Sequence, residues 1–253
     1  AVSLKPGAAY VAVEHDGRAE VMLEDLAPKC CEEFGWEYPP VMVDGKPYVV
    51  PAETFHHIHY KQPIFDGVEG VALLADYVGV DDGTGIVHNS PGHGVDDYFA
   101  CLKEGITDIC MPVDDDGKFY TGEEFGTGGP FSGMDTDEAN PHIIEFLRER
   151  GTLVLEKKIT HSYPHCWRCK HPIIFRATPQ WFCSVDTFKD DACAAADKVI
   201  WHPGWGHDRM LSMIRERADW CISRQRRWGL PIPVFYCKDC GKPVCTPETI
   251  AHI

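Results

Sequence analysis

The chain has 253 residues and a formal net charge of −15, with 24 Lys and Arg against 39 Asp and Glu. This length allows one large domain or two small ones, and the acidic balance argues against a generic polyanion-binding surface, so DNA is not an expected partner. No apolar run is long enough to cross a bilayer and no signal-peptide pattern opens the chain, which predicts a cytoplasmic protein without a membrane partner. Because the first residue is Ala1 and not methionine, we expect a piece of a longer polypeptide.

Residues 1–80 are predicted to be mostly β-structure. Short apolar runs at residues 11–13 and 41–43 are typical of strands. Between them, residues 23–34 are predicted to form one helix. We therefore expect a β-rich first part with short helices.

Three histidines stand close together in this part, at His56, His57 and His59. On a strand, His57 and His59 would share one face because side chains alternate. No cysteine or carboxylate close by in the sequence completes a set of ligands, so a metal site is not predicted here.

The stretch at residues 83–98 is predicted to carry the chemistry. It reads Gly-Thr-Gly-Ile-Val-His-Asn-Ser-Pro-Gly-His-Gly-Val-Asp-Asp-Tyr, which predicts a short strand, a loop and a helix from Asp96 onward. Asp96 and Asp97 fall in the first helical turn, where free N–H groups and the helix dipole stabilise negative charge. Two such carboxylates suit an ammonium group or a metal. The alternative is that Asp96 caps the helix while His88 and His93 only pack.

The next elements are predicted from turn and helix signals. Residues 114–117, Asp-Asp-Asp-Gly, lack the alternating ligands of a calcium loop and indicate a tight turn between strands. Asn140 is predicted as the N-cap and Pro141 as the first residue of a helix that ends at Gly151. A strand is predicted at residues 153–155.

Two pairs of cysteines have the C-x-x-C spacing, Cys166 with Cys169 and Cys237 with Cys240. Four thiolates from two such units match a tetrahedral structural zinc site, and the two pairs can share one ion. The alternative is free reduced thiols without metal.

Residues 209–227 contain six arginines and form a basic island in an acidic protein. A helix is predicted across residues 210–217. Such an island favours a local contact to RNA. The candidate RNA-binding residues are Arg215, Arg217, Arg224, Arg226 and Arg227.

Five blocks of the sequence, taken in order, carry a resemblance to a known family. Residues 83–98 are the first. The others are Phe-Ser-Gly at 131–133, Tyr-Pro-His-Cys-Trp-Arg-Cys at 163–169, Phe-Arg-Ala-Thr-Pro-Gln-Trp-Phe at 175–182 and Asp-Trp-Cys-Ile-Ser-Arg-Gln-Arg-Arg-Trp-Gly at 219–229. Together they resemble the class I aminoacyl-tRNA synthetases for branched aliphatic amino acids, and most closely the isoleucyl-tRNA synthetases. The resemblance extends across nearly the entire chain.

This resemblance implies a mixed α/β fold in three parts. Residues 1–160 would form a β-rich editing (CP1) domain of the valyl, isoleucyl and leucyl type, with short helices. Residues 161–200 would form a zinc-knuckle and connective segment, and residues 201–253 part of a Rossmann catalytic domain. The HIGH and KMSKS-type motifs are absent from this sequence, so ATP is expected only in the full-length enzyme. In the family, either cysteine pair can also be completed by cysteines outside this segment.

The family's editing domain removes valine wrongly attached to tRNA(Ile), and the resemblance implies this activity here, with no cofactor for editing. Asp97 matches the aspartate that holds the α-ammonium of the misattached amino acid. His88 matches the histidine at the pocket wall that rejects the larger cognate side chain. The predicted supporting residues for substrate binding are Gly83, Thr84, Gly85, His93, Asp96 and Tyr98. The expected partners are tRNA(Ile), its misattached valine and the remainder of the synthetase.

One departure from the family pattern concerns a threonine-rich strand that lines the editing pocket. The matching segment would lie immediately before Ala1, so a pocket built from this chain alone is expected to lack one wall. No serine or cysteine nucleophile with an adjacent base is evident in the sequence. A positioned water, helped by the terminal ribose hydroxyl of the tRNA, is therefore the expected means of hydrolysis.

Two other functions stay open on the sequence. Metal-assisted hydrolysis would use His88, His93, Asp96 and Asp97 as ligands, although adjacent aspartates on a helix diverge by about a hundred degrees. The other is a zinc-organised tRNA-binding module without catalysis, which the cysteine pairs and the arginine island favour.

Overall fold

The computed structural model describes residues 1–123, 126–224 and 229–252. Contacts divide the chain into two compact units, Ala1–Ala177 (unit 1) and Thr178–Ile253 (unit 2). The three functional segments predicted from the sequence, with boundaries after residues 160 and 200, stay a prediction. None of the described helices combines the length and the apolar character that a membrane crossing needs.

The described residues of unit 1 form short strands and three α-helices. The strands are β1 (Val2–Leu4), β2 (Ala9–His15), β3 (Arg18–Leu23), β4 (Met42–Val43), β5 (Lys46–Pro47), β6 (Val49–Pro51), β7 (His59–Lys61), β8 (Glu69–Leu74) and β9 (Ile86–His88). The helices are α1 (Ala27–Phe34), α2 (Val95–Lys103) and α3 (Thr136–Glu149), with 3₁₀ turns at Glu24–Leu26, Ala52–Phe55 and Gly129–Phe131. Within residues 1–80 most of the regular elements are strands, in agreement with the predicted β-rich character.

Two small sheets build the framework of unit 1. The first has the order β7-β8-β1-β9, and its strand β1 runs parallel to β8 and antiparallel to β9. The second has the order β3-β2-β6, with β2 antiparallel to both neighbours. Strands β4 and β5 form a separate hairpin. Several small sheets with short helices confirm the predicted mixed α/β class.

The core of unit 1 lies around β2 and α1. Tyr10, Val11 and Val13 of β2 are fully buried, and Cys30 and Cys31 of α1 belong to the same apolar cluster. Fully burying one large apolar side chain contributes about 1.5–3 kcal/mol, so this cluster supplies much of the stability of unit 1.

Two predicted helices of unit 1 have different boundaries in the structure. The helix predicted over residues 23–34 is divided into the 3₁₀ turn Glu24–Leu26 and α1, because Pro28 near the start of α1 has no N–H to continue a longer helix. The helix predicted from Asp96 is confirmed as α2, which begins one residue earlier.

The start predicted for α3 at Asn140 and Pro141 is wrong. The helix begins at Thr136, because the side chain of Asp135 accepts a hydrogen bond from the N–H of Asp137 and caps the helix there. Pro141 therefore lies inside the helix. The helix stops at Gly151 as predicted, where the backbone takes a φ of +64°.

The strand predicted at residues 153–155 is also wrong, because the N–H groups of Thr152 and Leu153 both donate to the carbonyl of Leu147 at the end of α3. The turn at residues 114–117 is confirmed: the N–H of Gly117 donates to the carbonyl of Asp114 at 3.2 Å. The residues that flank this turn form an isolated bridge and not two strands.

Unit 2 is built from small elements. Its strands are β10 (Phe182–Cys183), β11 (Trp220–Cys221), β12 (Phe235–Tyr236) and β13 (Pro243–Val244), which pair as β10-β11 and β12-β13. Its helices are α4 (Lys189–Ala196), α5 (Trp205–Arg215) and α6 (Pro247–His252), with a 3₁₀ turn at Asp186–Phe188. The helix predicted over residues 210–217 is confirmed in α5, which begins five residues earlier. The partial Rossmann segment stays a prediction.

Candidate functional site

The predicted catalytic residues are carried by one strand and the helix that follows it. β9 pairs with β1 so that Val2 lies opposite His88, the last residue of the strand. The loop after His88 leads into α2, whose third residue is Asp97. The motif therefore folds as the strand, loop and helix that its sequence predicts, with both residues at the same end of the sheet.

Two hydrogen-bond donors fix the carboxylate of Asp97. The N–H of Ser90 donates to Oδ2 at 2.9 Å, and the hydroxyl of Tyr77 donates to Oδ1 at 2.6 Å. A Cβ at Gly94 would lie 2.7 Å from Oδ2, and a Cβ at Gly92 would lie 2.4 Å from the carbonyl oxygen of Cys110. The two loop glycines are thus required for close approach of the chain to itself at the start of α2.

A buried polar network lies behind this carboxylate, and the sequence reasoning missed it. The amide nitrogen of Asn89 donates to Ser3 Oγ at 3.2 Å and to Tyr77 Oη at 3.0 Å, while Cys101 Sγ donates to Asn89 Oδ1 at 3.2 Å. Ser3 and Asn89 are fully buried polar residues. Because buried polar groups need partners, this network sets the position of Tyr77 and through it that of Asp97.

His88 lines an apolar cavity of about 230 Å³. The apolar side chains of the wall include Ile64, Phe65, Val68, Phe119, Phe131 and Ile143. Burial lowers the pKa of His88, and Asp97 acts in the opposite sense. Ser90 lines the same cavity, so the residue whose N–H holds Asp97 also forms part of the wall.

The structure places the glycine-threonine-glycine segment at the opposite end of β9. The carbonyl of Gly83 accepts from Cys30 Sγ at 3.1 Å, and the carbonyl of Gly85 accepts from Tyr10 Oη at 2.6 Å. The carbonyl of Thr84 accepts from the N–H of Leu23 at 2.8 Å. These contacts anchor Gly83, Thr84 and Gly85 to α1, β3 and β2, so the structure does not bring them together with His88.

The remaining predicted supporting residues lie around α2. Nδ1 of His93 is 2.8 Å from the carbonyl oxygen of Phe175, and its buried Nε2 has no hydrogen-bond partner in the part of the chain that the structure describes. Asp96 is exposed at the second position of α2. The ring of Tyr98 packs edge-on against Phe99, with centroids 5.5 Å apart.

Both cysteine pairs have the backbone of a thiolate knuckle. The N–H of Cys166 donates to the carbonyl of His171, and that of Lys170 donates to the carbonyl of Cys166, both at 2.8 Å. In unit 2 the N–H of Cys237 donates to the carbonyl of Lys242 at 3.0 Å, and that of Gly241 to the carbonyl of Cys237 at 2.9 Å. Residues 170 and 241 both take a left-handed backbone, with φ of +65° and +67°.

Local N–H groups also favour the thiolate form in each pair. Hydrogen bonds from the N–H groups of Cys169 and Arg168 lower the pKa of Cys166. The N–H groups of Cys240 and Asp239 lower the pKa of Cys237 in the same way. This fits a zinc ligand, because zinc binds the deprotonated sulfur. Zinc, and the sharing of one ion by Cys166, Cys169, Cys237 and Cys240, stay predictions.

The predicted RNA-binding arginines are described only in part. Arg217 and Arg224 line an open cavity of about 590 Å³ in unit 2, together with Glu216 and Asp219. The guanidinium of Arg224 donates to the carbonyls of Cys221 and Ser223. Arg215 is the last residue of α5. The predictions for Arg226 and Arg227 lie outside the described residues.

Comparison with known proteins gives consistent family matches. Residues 13–253 match the family model described as tRNA synthetases class I (I, L, M and V). The isoleucine–tRNA ligase of Acholeplasma laidlawii is 43% identical over 253 residues, which are 100% of this chain and 27% of that protein. The isoleucine–tRNA ligase of Desulfitobacterium hafniense (strain DCB-2) is 53% identical over 193 residues, which are 76% of this chain and 20% of that protein.

The chain therefore spans about a quarter of the length of the curated relatives it matches. A solved structure described as the crystal structure of GlLeuRS-CP1 aligns with a TM-score of 0.47 and 14% identity, over 62% of this chain and 77% of that one.

Proposed function

The chain belongs to the class I tRNA synthetases of the I, L, M and V group, and we propose that it is the editing part of an isoleucine–tRNA ligase. Its reaction is the hydrolysis of the ester that joins valine to tRNA(Ile). The family and the isoleucine–tRNA ligase relatives support the class of protein, and the geometry around His88 and Asp97 supports the reaction.

An editing reaction follows from the small difference between the two amino acids. One methylene contributes about 1–3 kcal/mol in a hydrophobic pocket, which is too little to exclude valine from a site built for isoleucine. A second, smaller pocket that admits valine and excludes isoleucine solves this problem. The apolar cavity of about 230 Å³ beside His88 is our candidate for that pocket.

The single observation that carries the proposal is the fixed carboxylate of Asp97 beside the wall of this cavity. Each carboxylate oxygen offers two acceptor sites, so the hydrogen bonds from Ser90 and Tyr77 leave one on each oxygen for a ligand. An α-ammonium group is a donor of the right charge for them. Asp97 would thereby fix the position of the aminoacyl group relative to the cavity wall.

His88 would act as a neutral imidazole at that wall, because burial holds its pKa below the ordinary value. In this role it contributes shape and a hydrogen bond rather than a positive charge. A water positioned beside the ester carbonyl attacks the carbon, and the ribose oxygen of the tRNA leaves with a proton. The hydrolysis is accelerated because the water and the ester are held in the orientation for attack, and such orientation supplies a large share of the rate enhancement.

The test is deacylation by the 253-residue protein. We expect it to release valine from valyl-tRNA(Ile) faster than the uncatalysed rate and to leave isoleucyl-tRNA(Ile) intact, with both substrates made on the same tRNA. Release of neither amino acid by a folded sample, or equal release of both, would contradict an editing function for this chain.

The proposal includes the partners that the family implies. tRNA(Ile) and the remainder of the synthetase are the expected partners, ATP belongs to the full-length enzyme, and the location is the cytoplasm. The surface of unit 2 supports a further protein partner in the same polypeptide, since Trp205 is 68% exposed and Trp220 52% exposed. Exposed tryptophans fit a surface that another domain covers.

A zinc-organised tRNA-binding module without catalysis is the second candidate. The observation that favours it is within unit 2, where a thiolate knuckle at Cys237 and Cys240 accompanies a cavity lined by Arg217 and Arg224. The deacylation test separates the two, because this module would bind tRNA and release no amino acid. Metal-assisted hydrolysis is less well supported, since Asp96 is exposed while Asp97 is held by Ser90 and Tyr77.

A further inference from the structure

Three side chains from distant parts of the sequence of unit 1 lie close together, and none of them lines the apolar cavity beside His88. His56 and His57 follow the 3₁₀ turn Ala52–Phe55, and Glu104 caps the carboxyl-terminal end of α2. Nε2 of His56 lies 3.2 Å, and Nε2 of His57 lies 2.9 Å, from one carboxylate oxygen, Glu104 Oε2. The three atoms lie within 4.8 Å of one another, and within the described residues no other group of three His, Cys, Asp or Glu side chains meets this spacing.

The spacing is close to that of ligands around one small ion. Zinc holds imidazole nitrogen and carboxylate oxygen at about 2.0–2.2 Å in a tetrahedron, which separates two ligand atoms by about 3.3–3.6 Å. The separations of His56 and His57 from Glu104 are a few tenths of an ångström shorter. A small outward shift of the Glu104 carboxylate therefore creates the room that an ion needs.

The backbone around the cluster holds these ligands in place. The N–H of His57 donates to the carbonyl of Ala72 in β8, and the N–H of Ala72 donates to the carbonyl of Ile58, both at 2.9 Å. On the other side, the N–H of Glu104 donates to the carbonyl of Cys101 at 3.1 Å. A backbone held in place before binding loses less conformational freedom when an ion binds, and this favours affinity.

The environment also suits an open metal site. The side chain of Glu104 is 16% exposed, so its negative charge is largely shielded from water, while that of His57 is 59% exposed. One face of the cluster therefore opens to solvent. Two imidazoles with one carboxylate and a free position form a donor set that transition metals such as zinc accept.

We propose that His56, His57 and Glu104 bind one divalent transition-metal ion, for which zinc is the best match, with water in the fourth position. The ion would join the histidine segment beside β8 to the end of α2, the helix whose first turn carries Asp97. Sequence reasoning found no carboxylate near the histidines because Glu104 lies 47 positions from His57. His59, which that reasoning paired with His57, instead has its Nδ1 3.4 Å from Glu69 in β8.

The experiment is a cobalt titration of the chelator-treated, reduced 253-residue protein. Cobalt substitutes for zinc, and cobalt bound by cysteine gives a thiolate charge-transfer absorption that cobalt bound by histidine and glutamate lacks. The cysteine pairs are thus distinguished from the proposed site in one spectrum. We expect one equivalent of bound cobalt without the thiolate absorption, and competition of zinc for it.

Matched variants identify the residues that bind this cobalt ion. His57→Asn removes the imidazole while keeping a residue type that tolerates the left-handed backbone at this position, where φ is +64°. It should weaken the binding of the cobalt that shows no thiolate absorption. The loss of affinity should exceed the about 10–100-fold that follows removal of a residue hydrogen-bonded to a metal ligand. His59→Asn, the same change two residues away, should leave it unchanged.

Glu104→Gln is the second variant, because it keeps the shape and the hydrogen bonding of the side chain and removes the charge. It should also weaken the thiolate-free binding, with an unchanged circular dichroism spectrum. If the wild-type protein binds cobalt only with thiolate absorption, or if His59→Asn loses as much binding as His57→Asn, the proposal is wrong and Glu104 merely accepts hydrogen bonds from the two imidazoles.

Discussion

At the scale of single residues, two adjacent carboxylates have very different surroundings. Asp96 and Asp97 share the first turn of α2 and the same helix dipole, yet Asp96 is exposed while Asp97 is held by Ser90 and Tyr77. The difference arises because neighbouring residues of a helix point about a hundred degrees apart. The pair therefore provides an internal control for the role of a carboxylate at this position.

The first prediction concerns the charge of Asp97. Asp97→Asn keeps an oxygen to accept the N–H of Ser90 but loses the negative charge offered to the ammonium group of the substrate. Charge-assisted hydrogen bonds contribute about 1.5–3 kcal/mol, so kcat/KM for deacylation of valyl-tRNA(Ile) should fall by about 10–100-fold. Steady-state deacylation measures it.

Asp96→Asn is the matched control, since it removes the same charge from the same helical turn. It should leave kcat/KM within about a factor of two, as expected for an exposed residue without a substrate contact. Equal losses for Asp96→Asn and Asp97→Asn would show that the general charge of the turn acts on the substrate and that Asp97 has no special role.

The second prediction concerns the size limit at His88. His88→Ala enlarges the apolar cavity next to Ser90, so isoleucine should enter and isoleucyl-tRNA(Ile) should be deacylated at a measurable rate. The ratio of valine to isoleucine release should drop by about tenfold or more, the discrimination that one methylene provides. Parallel assays of both charged tRNAs give this ratio. An unchanged ratio would assign the size limit to another side chain of the wall.

The residues that position the site could be predicted only where their signal is local. His88 and Asp97 lie in one short motif, and its glycines and helix start are readable. Tyr77 and Ser3 lie 20 and 94 positions before Asp97, and only the pairing of β1 with β8 and β9 brings them together. Nothing in a single sequence indicates which polar side chains such a pairing buries.

At the scale of elements, helix ends show which local signals compete. Asn140 and Pro141 are a favourable N-cap and first residue. Asp135 nevertheless caps the helix five residues earlier, and burial of Ala139 stabilises the longer helix. The small sheets were predictable as β-structure from apolar runs. Their order was not, because strands β1 and β9 pair across 82 to 86 positions, as in Leu4 with Ile86 and Val2 with His88, far beyond the range of turn signals.

The third prediction concerns the contact between α4 and α5. His207 in α5 has Nε2 2.7 Å from Asp197, just after α4, and Nδ1 3.0 Å from Asp208. Asp197 first, and then Asp208, raise the pKa of His207 through these hydrogen bonds. A raised folded-state pKa means that the contact stabilises unit 2 fully below the ordinary pKa of histidine, about 6.5, and ceases to do so as pH rises through the folded-state pKa.

The melting temperature of the chain should therefore fall more between about pH 6 and pH 8 in the wild type than in His207→Gln. Thermal unfolding followed by tryptophan fluorescence measures the difference, and Trp201, one of seven tryptophans, packs edge-on against His207. His252→Gln removes an exposed histidine of α6 and should keep the wild-type pH dependence. If both variants lose that dependence, the His207 contacts do not cause it.

At the scale of the whole chain, the two units differ in how much apolar surface they bury. Unit 1 has a continuous core around β2 and α1. In unit 2, the described hydrophobic residues that are buried are Val185, Ala196 and Leu211, while Leu230 is 97% exposed. A fold with so small a core gains stability from neighbours. This agrees with a chain that spans about a quarter of its relatives.

Charge is distributed as unevenly as apolar surface. The chain carries a net charge of −15, yet the described part of the arginine island places Arg217 and Arg224 in one open cavity. An acidic protein repels tRNA at long range, so any binding must come from a few local contacts to phosphates. Such contacts release counterions, which makes the affinity depend steeply on salt.

The fourth prediction is that each phosphate contact adds about 0.7–0.9 to the negative slope of log K against log salt concentration for tRNA binding. Arg217→Ala should lower that slope by about one and weaken binding most at low salt.

Arg148→Ala is the control, because it removes the same charge from unit 1, where Arg148 contacts Glu145 and Glu156. Fluorescence titrations of labelled tRNA at several salt concentrations give the three slopes. An equal decrease of the slope for both variants would mean that net charge, and not the cavity at Arg217, sets the affinity. A slope near zero for the wild type would mean that unit 2 has no surface that binds tRNA phosphates.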